Sequence, residues 1–264
     1  MKRVSSLLLL FIFAIQACSG AADPGAGPAE SPATEQAMVP DSGSAASPTP
    51  EIVHKVIPGD LPADRVNHAG DQDSSVMADK HRPPSGDRFT FGQFERPFNS
   101  NTMDVYYANI DIQDVTVYED GTFFYGSLIF KSLEAGAKTG SYALEFDLDL
   151  DGHGDVLVIA VQPELTDWTV NGVQVWFDGN NDVGGEKILR ADEKSFAGDG
   201  FETKIFDSGT GNDPDTAWVR ISPDDPNTIQ LAVKLSLFND DTTYMVGVWE
   251  GNESLNPATF DLND

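Results

Sequence analysis

Residues 104–132 read DVYYANIDIQDVTVYEDGTFFYGSLIFKS, and this stretch decides the fold class. On both sides of the step Asp120-Gly121 the chain is rich in Val, Ile, Phe and Tyr in a period of two, which is typical of β-strands. An Asp-Gly pair between two such runs is a strong signal for a tight turn. The stretch therefore predicts an antiparallel hairpin with strands over 104–118 and 122–132.

The same pattern continues along the chain. Clusters of Gly, Asp, Asn and Pro separate the runs, long helical periodicity is absent, and 24 of the 26 aromatic residues fall in 86–264. Many short strands without intervening helices indicate two packed antiparallel sheets. We therefore predict an all-β domain over 86–264, an antiparallel, jelly-roll-like β-sandwich. The further predicted strands are 88–92, 141–150, 155–161, 173–178, 203–207, 216–221, 228–238 and 243–249.

Two of the connecting segments carry oxygen-bearing side chains at alternate positions before glycines. Such a pattern resembles the start of a Ca²⁺-binding loop, and carboxylates so close together repel one another unless a cation joins them. The EF-hand pattern fails because Val158 stands where a bidentate Glu is needed. We predict a structural Ca²⁺ site; the alternative is that these residues only form turns. The predicted ligands are Asp147, Asp149, Asp151 and Asp155 in the first segment and Asp178, Asn180 and Asp182 in the second.

Two tryptophans fall on strand faces that also carry amide and charged groups. A flat indole ring suits the apolar face of a sugar, and neighbouring donors and acceptors suit its hydroxyl groups. The alternative is that these rings fill a second buried layer beneath loops. The predicted ligand-binding residues are Gln174, Trp176, Trp218, Arg220, Gln230 and Lys234.

The first twenty residues have the pattern of an export signal. A basic start, Met1-Lys2-Arg3, precedes an apolar run from Val4 to Ile15 that is too short to span a membrane. The following Ile15-Gln16-Ala17-Cys18 resembles the lipobox of bacterial lipoproteins, and Cys18 is the single cysteine of the chain. That resemblance implies cleavage after a signal peptide over 1–17, acylation of Cys18, and a protein held by its acyl chains at the cell membrane or outer membrane.

Residues 18–85 have the composition of a tether. They carry ten of the sixteen prolines, with Ala, Gly and Ser, and no aromatic residue. Such a composition buries too little apolar surface to offset the entropy of ordering the chain, and it predicts a disordered linker. The apolar island 51–57 leaves a short strand or docking peptide open as an alternative.

The acidic turn between strands, followed by a strand with Trp and Gln, resembles extracellular β-sandwiches of the DOMON and family-nine carbohydrate-binding-module type. The phrases at 180–185 and 217–223 are similar to those of domains in bacterial surface lipoproteins. This resemblance covers roughly 100–264, and it implies binding of a ligand or sugar.

Charge and residue usage exclude several functions. The formal net charge of −27 argues against a nucleic-acid partner, and a single cysteine excludes a disulfide scaffold or a cysteine-ligated metal site. The segment 86–264 has one histidine, His153, and no nucleophile elbow or zinc-protease motif, so we predict no catalytic residues. The expected protein is an extracytoplasmic, lipid-anchored, Ca²⁺-stabilised module that binds carbohydrate. A structural or protein-interaction module of an envelope complex, and a glycan hydrolase, are the alternatives.

Overall fold

A computed structural model describes residues 52–61, 67–82, 84, 97–99, 102–134, 140–184, 198–239 and 243–260. The predicted signal peptide, Cys18 and the predicted strand 88–92 lie outside the described residues. The described strands are β1 (Asn67–Gly70), β2 (Ile112–Glu119), β3 (Phe123–Phe130), β4 (Ser141–Asp147), β5 (Val156–Val161), β6 (Val173–Phe177), β7 (Thr203–Asp207), β8 (Thr210–Gly211), β9 (Ala217–Ile221), β10 (Thr228–Lys234) and β11 (Met245–Gly251).

These strands form two antiparallel sheets packed face to face, which confirms the predicted all-β sandwich. A five-stranded sheet has the order β1-β2-β3-β10-β9, and a six-stranded sheet has the order β11-β4-β5-β6-β7-β8. Three predicted strand limits are wrong. Residues 104–111 precede β2 as turns and an isolated bridge, β4 ends at Asp147 and not at residue 150, and Leu235–Phe238 after β10 is a 3-10 helix.

The predicted hairpin turn joins β2 to β3. Gly121 has a φ of +85°, a conformation that glycine adopts without steric cost. The Oδ1 atom of Asp120 accepts hydrogen bonds from the N–H groups of Thr122 and Phe123, each at 2.8 Å. The aspartate and the glycine thus each supply one requirement of the turn.

The main core lies between the two sheets, where alternate residues of each strand meet. Gly126 of β3 faces Leu144 of β4, and a Cβ at Gly126 would lie only 3.0 Å from the nearest Leu144 methyl carbon. Phe124 and Phe146 pack edge to face with ring centroids 5.2 Å apart. This close approach of the sheets leaves no room for solvent in the centre of the sandwich.

A smaller apolar cluster covers β4 and β5 on the outer face of the six-stranded sheet. Consequently β4 is buried along its whole length, on both faces, and β5 along nearly all of it. The members of this cluster are Ala143, Leu157, Ile159, Val183, Phe201 and Phe260.

The folded unit begins earlier than the sequence predicted. The described residues from 52 onward belong to one compact unit, in which β1 pairs with β2 and residues 54–60 contact the five-stranded sheet. The expected disordered linker over 18–85 is therefore wrong for the described residues from 52 onward. Composition averaged over the whole stretch hid a short segment whose partners lie more than a hundred residues away in the sequence.

Candidate functional site

The loop between β4 and β5 brings three of the predicted metal ligands together. One carboxylate oxygen from each of Asp147, Asp149 and Asp151 lies within 4.8 Å of the others. Asp147 is buried at the end of β4, whereas the other two carboxylates are exposed. The arrangement places three hard oxygen ligands around one point at the end of β4.

Backbone hydrogen bonds fold this loop around Asp147. Its Oδ1 atom accepts from the N–H of Leu150 at 2.7 Å, and its Oδ2 atom accepts from the N–H of Gly152 at 2.9 Å. Both partners have positive φ, +64° at Leu150 and +92° at Gly152, so the chain turns sharply twice. A straight strand would spread these three aspartates along one face, and the two turns instead bring their oxygens within 4.8 Å of one another.

The loop concentrates negative charge. Burial raises the pKa of Asp155 above its ordinary value, and the charges of Asp149, Asp147 and Asp151 raise it further, against a hydrogen bond from the N–H of Leu148. The pKa of Asp151 is lowered instead, first by the side-chain amide of Asn181 and then by the N–H of His153. The pKa of Asp155 is therefore raised first by burial and in a smaller part by the repulsion among these carboxylates, which a bound cation would relieve.

A cavity of about 180 Å³ lies beside this loop, between β4 and β11. Glu145, two residues before Asp147 on the same strand face, is only 8% exposed, and its Oε2 atom accepts a 2.6 Å hydrogen bond from Trp249 Nε1. Gly154 packs so closely on Glu145 that an added Cβ would lie 2.0 Å from its Oε1 atom. His153 also lines the cavity, and its Nδ1 atom is buried with no hydrogen-bond partner.

The second predicted ligand segment has another role. Both carboxylate oxygens of Asp178 are occupied: Oδ1 accepts from the N–H groups of Asn180 and Asn181, and Oδ2 accepts from those of Asp182 and Val183, at 2.8–3.0 Å. Four N–H donors use the four lone pairs of a carboxylate. Asp178 therefore shapes its own loop.

Asp182 and Asn180 connect that loop to the segment before β7. Asp182 accepts hydrogen bonds from the N–H groups of Asp199 and Gly200, and Asn180 Nδ2 donates to Asp199 Oδ1 at 2.6 Å. Among the described residues, Asp178, Asn180 and Asp182 do not join the group of three carboxylates. The two loops meet where Asn181 Nδ2 donates to Asp151 Oδ2 at 2.9 Å.

The predicted ligand-binding residues are divided between two sheets. Gln174 and Trp176 lie on β6 of the six-stranded sheet, where both are half-buried. Trp176 Nε1 donates to Gln174 Oε1 at 3.1 Å, and Lys204 Nζ lies 5.0 Å from the centre of its ring. The four remaining residues belong to the five-stranded sheet, so the six do not form one surface.

On the five-stranded sheet, three of the four are buried. Trp218 is 3% exposed, Arg220 6% and Gln230 8%, because the chain segment before β1 and the loop around Trp168 cover them. Lys234 pairs with Asp213 at 2.5 Å. The expectation that Trp218 offers an exposed ring to a sugar is therefore wrong, and the alternative, a second buried layer, holds for it.

Sequence reasoning missed several residues of these sites. Glu145 carried a local signal, a charge at an outward position of an apolar strand two residues before Asp147. Asn181 stood within the predicted segment but out of its alternation. His54 carried no signal, because its partner Asp215 is 161 residues further along the chain.

No family model matches the chain, and no curated protein or solved structure matches it either. Among the described residues, no helix has the length and apolar character that crossing a bilayer requires. The fold and the site together define a β-sandwich with an acidic loop between two strands of one sheet.

Proposed function

We propose that this chain is a lipid-anchored, extracytoplasmic protein whose β-sandwich is a non-catalytic binding domain with one Ca²⁺ in the β4–β5 loop. The observation that carries the proposal is the convergence of Asp147, Asp149 and Asp151, whose carboxylate oxygens lie within 4.8 Å of one another. Carboxylate oxygens with backbone carbonyls and waters are the ligands that Ca²⁺ prefers. A divalent cation would also offset the repulsion from Asp149, Asp147 and Asp151, which adds to burial in raising the pKa of Asp155.

Titration calorimetry with CaCl₂ tests the metal site. We expect one saturable site per chain, weaker binding of Mg²⁺, and loss of binding in Asp149→Asn/Asp151→Asn, which replaces two exposed carboxylates of the group by uncharged amides. Asp167→Asn removes an exposed carboxylate outside the group and is the matched control. If NaCl and CaCl₂ gave equal heats at equal ionic strength, the effect would be general screening of charge, and the proposed Ca²⁺ site would be contradicted.

The anchor is supported by the lipobox-like Ile15-Gln16-Ala17-Cys18 and by the position of the only cysteine. Mass spectrometry of the mature protein should find the chain starting at Cys18 with acyl groups attached. Cys18→Ser should move the protein from the membrane fraction to the soluble fraction. An unmodified leader that is still attached in the mature protein would overturn this part of the proposal.

Carbohydrate binding is a second candidate at the outer face of the six-stranded sheet. It is favoured by the half-buried pair Gln174 and Trp176, which presents an indole ring next to an amide. Pull-down on insoluble polysaccharides should retain the full chain and lose it in Trp176→Ala. Leu165→Ala removes an exposed apolar side chain elsewhere and serves as the control. Equal retention of both variants would exclude this face.

A further inference from the structure

Residues 54–60, His-Lys-Val-Ile-Pro-Gly-Asp, lie across the outer face of the five-stranded sheet without regular secondary structure; we call them the strap. The groove beneath the strap consists of Tyr125, Trp168, Asp215, Trp218 and Arg220. Side chains of the groove form hydrogen bonds with backbone groups of Lys55, Val56 and Gly59 in this irregular segment.

Asp215 holds the first end of the strap. Its Oδ2 atom accepts from the N–H groups of Lys55 and Val56, both at 2.9 Å, and its Oδ1 atom lies 2.8 Å from His54 Nδ1. The Asp215 side chain is 2% exposed, and the His54 ring packs on Trp218 with centroids 4.7 Å apart. Burial by itself raises the pKa of Asp215, but these hydrogen bonds outweigh it, and the pKa lies below its ordinary value.

Aromatic side chains hold the middle of the strap. Tyr125 Oη accepts a 3.1 Å hydrogen bond from the N–H of Gly59, and Trp168 Nε1 donates a 3.0 Å hydrogen bond to the carbonyl oxygen of Gly59. Pro58, which has no N–H to satisfy, is buried against the domain. The N–H and the carbonyl oxygen of Gly59 are thus both hydrogen-bonded, the first to Tyr125 of β3 and the second to Trp168.

Arg220 holds the last end of the strap. Its side chain is only 8% exposed, yet its acidic partner, Asp60, is 89% exposed, with Nη1 3.1 Å from Asp60 Oδ1. The guanidinium group also lies 4.4 Å from the centre of the Trp168 ring and donates from Nε to Gln230 Oε1 at 2.6 Å. The groove therefore supplies a fixed, buried cation, and the strap supplies a solvent-exposed anion.

The side chains that contact the strap all lie within residues 125–230. They contact His54 at one end of the strap, Asp60 at the other end and Gly59 in the middle. We propose that this groove is a binding site for the peptide sequence of residues 54–60, and that a second copy of this chain supplies the same segment in trans when the groove's own strap is displaced. Exchange of an identical segment needs no new contact surface, so it is a low-cost route to association. The inference does not rest on the calcium site or the lipid anchor.

The strap competes with any incoming copy. A segment linked to its own site acts at an effective concentration in the millimolar range for short flexible links. We therefore expect the wild-type chain to remain closed and monomeric in dilute solution. A chain whose strap contacts are weakened should bind the same sequence in trans.

Two variants of the full chain test the strap and the groove independently. The strap variant, His54→Ala/Asp60→Ala, removes the two end groups and keeps every groove side chain. The groove variant, Asp215→Asn/Arg220→Met, keeps the strap and removes the buried charges with little change in volume. Trypsin cleavage after Lys55 reports strap release in both, because Lys55 is held by its N–H in the closed form.

A labelled peptide of residues 52–61 tests recognition directly. We expect saturable binding to the strap variant, at least tenfold tighter than to the wild-type chain or to a scrambled peptide. Mixing the strap and groove variants should give a 1:1 complex by analytical ultracentrifugation, whereas each alone stays monomeric. A strap variant whose Lys55 remains protected from trypsin, or one that binds the scrambled peptide equally well, would overturn the proposal. The peptide result does not depend on the groove variant being folded.

Discussion

Two acidic loops, one after β4 and one after β6, lie at the same end of the six-stranded sheet, and they have similar sequences and different structures. In the β4–β5 loop, Asp147, Asp149 and Asp151 bring their oxygens within 4.8 Å. In the loop after β6, Asp178 alone accepts four backbone hydrogen bonds. A carboxylate can organise a turn or remain available to a cation, and residue type does not decide which.

The difference comes from where the backbone N–H groups point. At Asp178 the chain folds back at once over its own carboxylate, so each oxygen receives two donors. At Asp147 each oxygen receives one, from Leu150 and Gly152. The β4–β5 loop therefore keeps acceptor capacity, and the other loop uses it for its own structure.

The largest expected effect is in the loop after β6. Asp178→Ala leaves four N–H groups without their acceptor, and at about 1 kcal/mol net per hydrogen bond we expect a loss of about 3 kcal/mol in unfolding free energy, because water replaces part of the bonding. The loss should be equal with EDTA and with Ca²⁺ in urea denaturation. Asp167→Ala is the control, since its carboxylate is exposed. A loss of stability seen only with Ca²⁺ would show that Asp178 is a metal ligand, and the two loops would then not differ in their role.

The next effect belongs to the β4–β5 loop. Free Ca²⁺ at ten times its Kd should stabilise the wild-type domain by about 1.4 kcal/mol, because an ion that binds only the folded state shifts the equilibrium by mass action. Thermal melts before and after chelation measure it. The shift should vanish in Asp149→Asn/Asp151→Asn and persist in Asp182→Asn. If Asp182→Asn abolished the shift, both loops would belong to one site.

The fold followed from local signals, whereas the sites depended on distant contacts. Asp120-Gly121 predicted its hairpin because a turn involves only neighbouring residues. The alternation of Asp147, Asp149 and Asp151 marked the right loop, but the same alternation at Asp178 did not produce convergence. Burial of Trp218 depends on His54, which the sequence places in a Pro-rich stretch that average composition describes as a linker.

A smaller, pH-dependent effect separates charge repulsion from backbone bonding. The folded-state pKa of Asp155 is raised, so without Ca²⁺ the folded state gains stability as pH falls through that pKa and loses it again as pH rises. Asp155→Asn keeps an acceptor for the Leu148 N–H and removes the charge. At neutral pH in EDTA it should be more stable than wild type by less than about 1 kcal/mol, the range of partly screened charges. Urea titrations from pH 4 to 7 measure this, and a variant destabilised at every pH would show that the hydrogen bond from Leu148 outweighs the burial and repulsion of the charge.

The smallest effect concerns a side-chain hydrogen bond between the two loops, from Asn181 to Asp151. Asn181 has a φ of +62°, so Asn181→Gly preserves the backbone conformation while it removes the amide that donates to Asp151. Because this amide is the first cause of the lowered pKa of Asp151, the pKa should rise toward its ordinary value, and the unfolding free energy should change little since both side chains are exposed. Carboxyl NMR titration in EDTA measures the shift. An unchanged pKa would mean that the other partners of Asp151, first the N–H of His153, set it, and that this side-chain contact does not couple the two loops.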